Sequence, residues 1–158
     1  MSNLRETRSP AECTMLVAFA DIAGFAKLCR SLSDQEIFAL LSEFYEQVGR
    51  VIDASGGTVV KFMGDAALIV FPETAARQGA AALRELKAAA DHWLRRRGGS
   101  DCVLHIQAHI GPVVCGPIGT AHDKRFDVLG NTVNQTAMLR SDGLVFSPEL
   151  EQWLQGHP

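Results

Sequence analysis

Two aspartates, Asp21 and Asp65, are the side chains of this 158-residue sequence best placed to do chemistry. Asp21 follows the apolar run 15–20, MLVAFA, which suits a buried strand. Asp65 follows Gly64 between two strand-like stretches, where a hairpin tip is expected. Carboxylates at strand ends project from a rigid frame, and they converge on one sheet edge if the hairpin packs beside the first strand. Oxygen-only ligation suits Mg2+ or Mn2+, which keep some water and take the rest of their shell from phosphate oxygens. Two such ions activate an attacking oxygen and neutralise phosphoryl charge. Spacing alone leaves a second reading open, in which Asp21 caps a helix and Asp65 forms a turn. His105 and His109, four residues apart on a strand, are separated by about 13 Å and make a poor metal pair; His109 is expected to be structural.

The elements that must position these residues follow from local pattern. Ser33 and Glu36 form a capping box, and Ile37, Leu40, Leu41, Phe44, Val48, Val51 and Ile52 then recur at helical spacing until Gly56-Gly57. Residues 58–63 and 66–71 read as paired strands. Pro72 opens a second long helix, rich in Ala and Leu, that runs to about Arg97. Residues 103–110 and 113–118 read as two strands with Gly111-Pro112 as their turn. A short strand over 125–129, a helix over 131–139, a strand over 144–147 and a helix opened by Pro148 complete the chain. This order predicts an α+β fold, an antiparallel sheet with helices on one face. Residues 1–14 are expected to be a flexible lead-in rather than a secretory signal, and 15–158 a single domain.

Composition narrows the class. At 47% hydrophobic residues the chain can build a core, and a net charge of -3 gives no reason to expect nucleic acid or an anionic membrane as partner. No apolar run approaches the roughly 20 residues needed to span a bilayer. The cysteines Cys13, Cys29, Cys102 and Cys115 are scattered, with no C-x-x-C pair, and read as reduced, packed thiols of a cytoplasmic protein.

Four ordered segments carry a resemblance. AFADIAGF (18–25) and VKFMGDAALIVF (60–71) look like the two metal-binding segments of class III nucleotidyl cyclases, the adenylate and guanylate cyclase family. HIGPVVCGPIG (109–119) and RFDVLGNTVN (125–134) resemble two further signatures of that family. The resemblance implies a ferredoxin-like, palm-type βααβ core. It implies that Asp21, Asp65 and the Ile22 carbonyl hold two Mg2+ or Mn2+ ions, and that the backbone of Ile22, Ala23, Gly24 and Phe25 binds phosphate. Lys61 and Asp127 match the adenine-reading pair, and Asn134 the residue that orients the ribose. The implied activity is an adenylate cyclase, turning ATP into 3′,5′-cyclic AMP and pyrophosphate. Metals and base contacts come from opposite subunits in this family, so the resemblance implies a homodimer with shared sites.

The pattern breaks in two places. Four residues after Asn134 the family usually has a transition-state arginine; here stands Met138, with Arg125 and Arg140 as possible substitutes. The C-terminal strand pair of the family is expected to be shortened, and no lysine follows Lys124. Slow turnover is therefore expected. The alternative is a catalytically impaired, nucleotide-binding regulatory module that acts through heterodimerisation with another cyclase chain.

Overall fold

The computed structural model describes residues 8–97, 101–140 and 142–157. Its first strand, β1 (Ala11–Ala23), extends beyond the apolar run at both ends and includes Asp21. The cause is pairing on both edges, with Asp21 opposite Ala66 of β3 (Ala66–Pro72) and opposite His105 of β4 (Val103–Gly119). Hydrophobicity marks where a strand is buried, but its length follows how far neighbouring main-chain groups continue. Ala11–Thr14, expected as part of the lead-in, are therefore held in β1, while residues 1–7 lie outside the described residues.

After β1 come α1 (Phe25–Cys29), α2 (Asp34–Ala54), β2 (Thr58–Met63) and β3. A 3-10 turn over Glu73–Ala75 leads into α3 (Ala76–Arg96), so Pro72 ends a strand rather than opening the helix. β4, β5 (Lys124–Leu129), α4 (Asn131–Met138), β6 (Leu144–Phe146) and α5 (Pro148–Gly156) complete the order. The strands run β2-β3-β1-β4-β5, all antiparallel, with β6 parallel to β4. The α+β expectation holds.

Gly111-Pro112 is not a turn. β4 passes straight through both residues, with Gly111 opposite Met15 and Pro112 opposite Thr14. A strand tolerates proline where the missing N–H would face no neighbour. Here the Pro112 carbonyl points off the β1 edge, accepting from the Thr132 hydroxyl at 2.6 Å, and its nitrogen shares that side. This stretch falls between the part of β4 paired with β6 and the part paired with β5.

Alternation along β1 divides the interior in two. Leu16, Ala18, Ala20 and Ile22 pack with Phe44, Val48 and Ile52 of α2 and with Leu83, Leu86 and Leu94 of α3. Met15 and Val17 face the other way, into a smaller core with Leu68, Val70, Val113, Cys115 and Val128, against which Val133 of α4 packs. Helices thus cover both faces, not one. The β1–β4 register also brings two of the scattered cysteines together, with the Cys13 and Cys115 sulfurs 3.6 Å apart. Burial, reinforced by the neighbouring thiol, pushes Cys13 up to about 11 and keeps it protonated near neutrality.

Gly79 lies inside α3 against the Phe71 ring, where an added Cβ would fall 2.6 Å from Phe71 Cγ. Glycine to alanine inside a helix ordinarily stabilises by about 1 kcal/mol. Gly79→Ala is expected to do the opposite, lowering stability by roughly 1–3 kcal/mol through overpacking. A reduced urea midpoint at unchanged m-value is the expected reading.

Candidate active site

The site starts from the β1–β3 pairing. Asp21 shares the β1 face of Val17 and Phe19, and the Ile22 N–H donates to the Asp65 carbonyl at 3.2 Å, which ties the β2–β3 tip to the end of β1. The tip is fixed from the helix side as well. Tyr45 of α2 stacks on Phe62 with ring centroids 3.8 Å apart, and its hydroxyl donates to the Gly64 carbonyl at 2.6 Å. Gly64 adopts a left-handed φ of 62°, the conformation such a tight loop demands.

The two carboxylates converge as expected. The Asp21 carboxyl is pushed above its ordinary range, first by burial and further by the Asp65 charge, with His105 opposing the rise. Among the described residues neither carboxylate has a lysine or arginine within ion-pairing distance. A pair of mutually repelling oxygen donors with no lysine or arginine in ion-pairing range among the described residues fits a divalent cation. Among the described residues no cluster of three or more His, Cys, Asp or Glu side chains could hold a metal unaided. Main-chain carbonyl, water and substrate oxygens would have to fill the remaining positions. The segment 22–25 makes a tight turn in which Gly24 has φ 83° and caps α1. Any Cβ there would press on the Asp101 carbonyl at 3.1 Å and on Cys102 Sγ at 3.3 Å.

Lys61 and Asp127 meet, although their strands stand at opposite ends of the sheet order: Lys61 Nζ lies 2.7 Å from Asp127 Oδ2. Two features bring them together. The sheet curls so that β5 approaches β2, in the manner of a partly closed barrel. A bulge also shifts the β2–β3 register between Val59 and Lys61. Val59, opposite Ile69, faces the main core, and uninterrupted alternation would send Lys61 there too. The bulge instead places Lys61 opposite Leu68, on the side of the smaller core and of Asp127. Asp127 is held further by its own Oδ1, which accepts from the Val128 N–H at 2.8 Å.

Asn134 is exposed on α4, one turn before Met138, whose side chain is 80% exposed. Neither candidate substitute takes the missing arginine's place on that helix. Arg125 is engaged by Asp123 two residues back, at 3.3 Å. Arg140 lies beyond the extended C-cap Leu139, so the helix that carries Met138 ends before it. Sequence reasoning missed Tyr45 and weighed His105 only as a metal partner of His109. Tyr45, the sole tyrosine, falls beside the apolar stripe of α2, and only the β1–β4 register sets His105 against Asp21.

Over residues 7–147 the chain matches the adenylate and guanylate cyclase catalytic domain. It belongs to that family. Two proteins of Mycobacterium tuberculosis (strain H37Rv), Rv1320c and Rv1319c, both described as uncharacterized, are 33% and 32% identical to it over 125 residues, 78% of this chain. The chain spans only 22% and 23% of their respective lengths. Among solved structures, the adenylyl cyclase CyaB from P. aeruginosa superposes with TM-score 0.84 at 19% identity, covering 94% of this chain and 84% of that one. The guanylyl cyclase Cya2 gives 0.81 at 23% identity, covering 91% and 79%. These likenesses establish the cyclase fold, and because they include both base specificities they do not choose between them.

The raised Asp21 carboxyl has a consequence for stability. A carboxylate whose folded pKa lies above its unfolded value weakens the fold above that pKa, and the weakening disappears as pH falls through it. Asp21→Asn should therefore stabilise the metal-free domain near neutrality. The group is half open to water, so screening leaves a gain of about 1–2 °C in Tm. Thermal melts at pH 7 and pH 4 should show the gain at the first and its loss at the second.

Proposed function

We propose that this cyclase domain converts ATP to 3′,5′-cyclic AMP and pyrophosphate at sites shared between two copies of the chain. The observation that carries the reading is the Lys61–Asp127 pair, 2.7 Å apart and held on two different strands. Lysine can only donate and an ionised aspartate only accept. Adenine offers an acceptor at N1 beside a donor at N6, which Lys61 at N1 and Asp127 at N6 satisfy, whereas guanine, a donor at N1 beside an acceptor at O6, requires the two readers in exchanged places. In the free chain the two readers satisfy each other, and an entering base replaces that contact with one hydrogen bond to each.

The remaining groups follow from the same reading. Asp21 and Asp65 hold the divalent cations, with the Ile22 carbonyl as a further oxygen. Those cations, when bound, lower the effective pKa of the ribose 3′-hydroxyl and neutralise triphosphate charge. The turn 22–25 offers backbone N–H groups to the phosphates, and Asn134 orients the ribose so that its 3′-oxygen lines up with the α-phosphorus. Association is supported by the large apolar side chains left in solvent: Met63, Val114, Ile118, Leu129 and Met138 are 41–80% exposed.

Met138 supports a second reading, that the domain binds nucleotide and serves as the regulatory half of a heterodimer. Methionine supplies neither charge nor a donor where the family uses arginine, a loss that typically costs on the order of 10² to 10³ in rate.

Purified protein with Mn2+ and ATP should form cyclic AMP, with specific activity that falls on dilution. Asp21→Ala should remove it, and Met138→Arg should raise kcat by roughly 10²-fold. No cyclic AMP above the Asp21→Ala control would defeat the first reading. ATP binding without turnover, together with product formation once a second cyclase chain is added, would favour the other.

A further inference from the structure

α4 carries Asn134, yet little in the helix itself fixes where it lies. It spans 8 residues, and its N-cap, Gly130, supplies no side-chain hydrogen bond. A helix this short is marginal unless tertiary contacts hold it. Beneath its C-terminal half lies a cavity of about 290 Å³ whose lining includes Met138, Leu139, Pro148 and Glu149. Packing is therefore thin where the helix must be placed most accurately, and hydrogen bonds from β4 take over. Thr132 Oγ1 donates to the Pro112 carbonyl at 2.6 Å, an approach possible because a Cβ on Gly111 would lie 2.6 Å from that oxygen. Gln107 Nε2 donates to the Leu139 carbonyl at 2.5 Å. Between these two end contacts sits His109, 7% exposed and bonded through both ring nitrogens.

The donors in that central contact can be worked out. With the Gln135 amide oxygen turned to the ring, His109 Nε2 lies 3.1 Å from Oε1, and we assign the ring proton to Nε2 on that orientation. Nδ1 must then accept, and it does so from the Ser147 hydroxyl at 2.7 Å. Ser147 Oγ in turn accepts from the Leu150 N–H at 3.1 Å as the N-cap of α5. In this assignment the chain Leu150 N–H, Ser147 O–H, His109 Nε2–H, Gln135 runs in one direction, with the Glu149 carboxylate as a second acceptor near the Ser147 hydroxyl. Glu149 Oε2 stands 3.7 Å from Nδ1 and is the one acidic group at ion-pairing range of the ring among the described residues.

We infer that His109 is a positioning residue for the cyclase reaction: its Nε2–H to Gln135 bond sets the placement of α4 and so aims the neighbouring Asn134 at the ribose. The inference rests on the cyclase reading for its effect on rate, though not for the geometry itself. His109 touches no substrate. Base and metal contacts come from β1, β2, β5 and the β2–β3 tip, so its loss changes kcat and leaves KM for ATP nearly alone.

Two near-isosteric variants separate placement from simple core packing. In His109→Gln the amide nitrogen takes the place of Nε2 and keeps the bond to Gln135. In His109→Asn the amide takes the place of Nδ1, keeping Ser147 and losing Gln135. His109→Gln is expected to retain kcat within about 3-fold, while His109→Asn and Gln135→Ala each lose roughly 10- to 100-fold with KM changed less than about 3-fold. Nitrogen-15 NMR of the wild-type ring should show the Nε2–H tautomer. The side-chain amide resonances of Asn134 should move in His109→Asn and stay in place in His109→Gln. Equal kcat losses in the two His109 variants, losses that merely follow Tm, or an Nδ1–H tautomer would each overturn the inference. If the wild-type chain makes no cyclic AMP, the cyclase reading fails by itself, and the Asn134 resonances still decide whether His109 places α4.

Discussion

β1 is hydrogen-bonded along both edges, and its register against β3 and β4 decides which side chains meet at the site. A slip of one residue would turn Asp21 from the smaller-core face into the main core and bring Ala20 or Ile22 out in its place. The same register sets His105 against Asp21 and Ala66 beside it, so that the hairpin tip bearing Asp65 arrives where the second carboxylate is needed. The slip is opposed by the buried alternation itself, since Leu16, Ala18, Ala20 and Ile22 are at most 2% exposed against α2 and α3. Packing that has no chemistry thus fixes the position of groups that do.

What could be read in the sequence was local. The capping box at Ser33 and Glu36 is present, with the Glu36 backbone N–H donating to Ser33 Oγ at 3.3 Å and the Ser33 N–H donating to Glu36 Oε2 at 2.8 Å. The β2–β3 hairpin and α2 also followed from short-range pattern, whereas the convergence of the two aspartates depended on the hairpin packing beside β1, which the β1–β3 register provides. What escaped was set by contacts between distant segments. The extra residue at Val60 looks like ordinary strand, and only its pairing with β3 reveals the bulge that turns Lys61 toward Asp127. Gly111-Pro112 carries the signature of a turn, but Thr132 takes the Pro112 carbonyl and β1 continues beside it, so the strand runs on. Cys13 and Cys115 lie 102 positions apart in sequence and touch because of the β1–β4 register.

The site also carries a cost that an inert fold would avoid. Asp21 is partly buried at the end of its strand and lies near a second carboxylate, so it titrates above its usual range, chiefly through burial and less through the Asp65 charge. The exposed Met138 leaves the helix surface beside Asn134 without positive charge. Under the proposed reading, substrate binding rests on strands and a tip that are well anchored, whereas transition-state stabilisation rests on a short helix held by a few side-chain hydrogen bonds. Affinity is therefore expected to be more robust to substitution than turnover.

The central proposal is that metal and base contacts at one site come from two different chains. Mixing Asp21→Ala with Lys61→Glu tests it most directly. Each variant alone has both sites of its homodimer damaged, but a mixed dimer gathers both lesions at one site and leaves the other intact. Random exchange of chains should restore cyclic AMP formation to about a quarter of the wild-type specific activity, by the symmetry of a two-site dimer. If the mixture is no more active than the two variants measured separately, with mixed dimers shown to form, the shared-site account is contradicted.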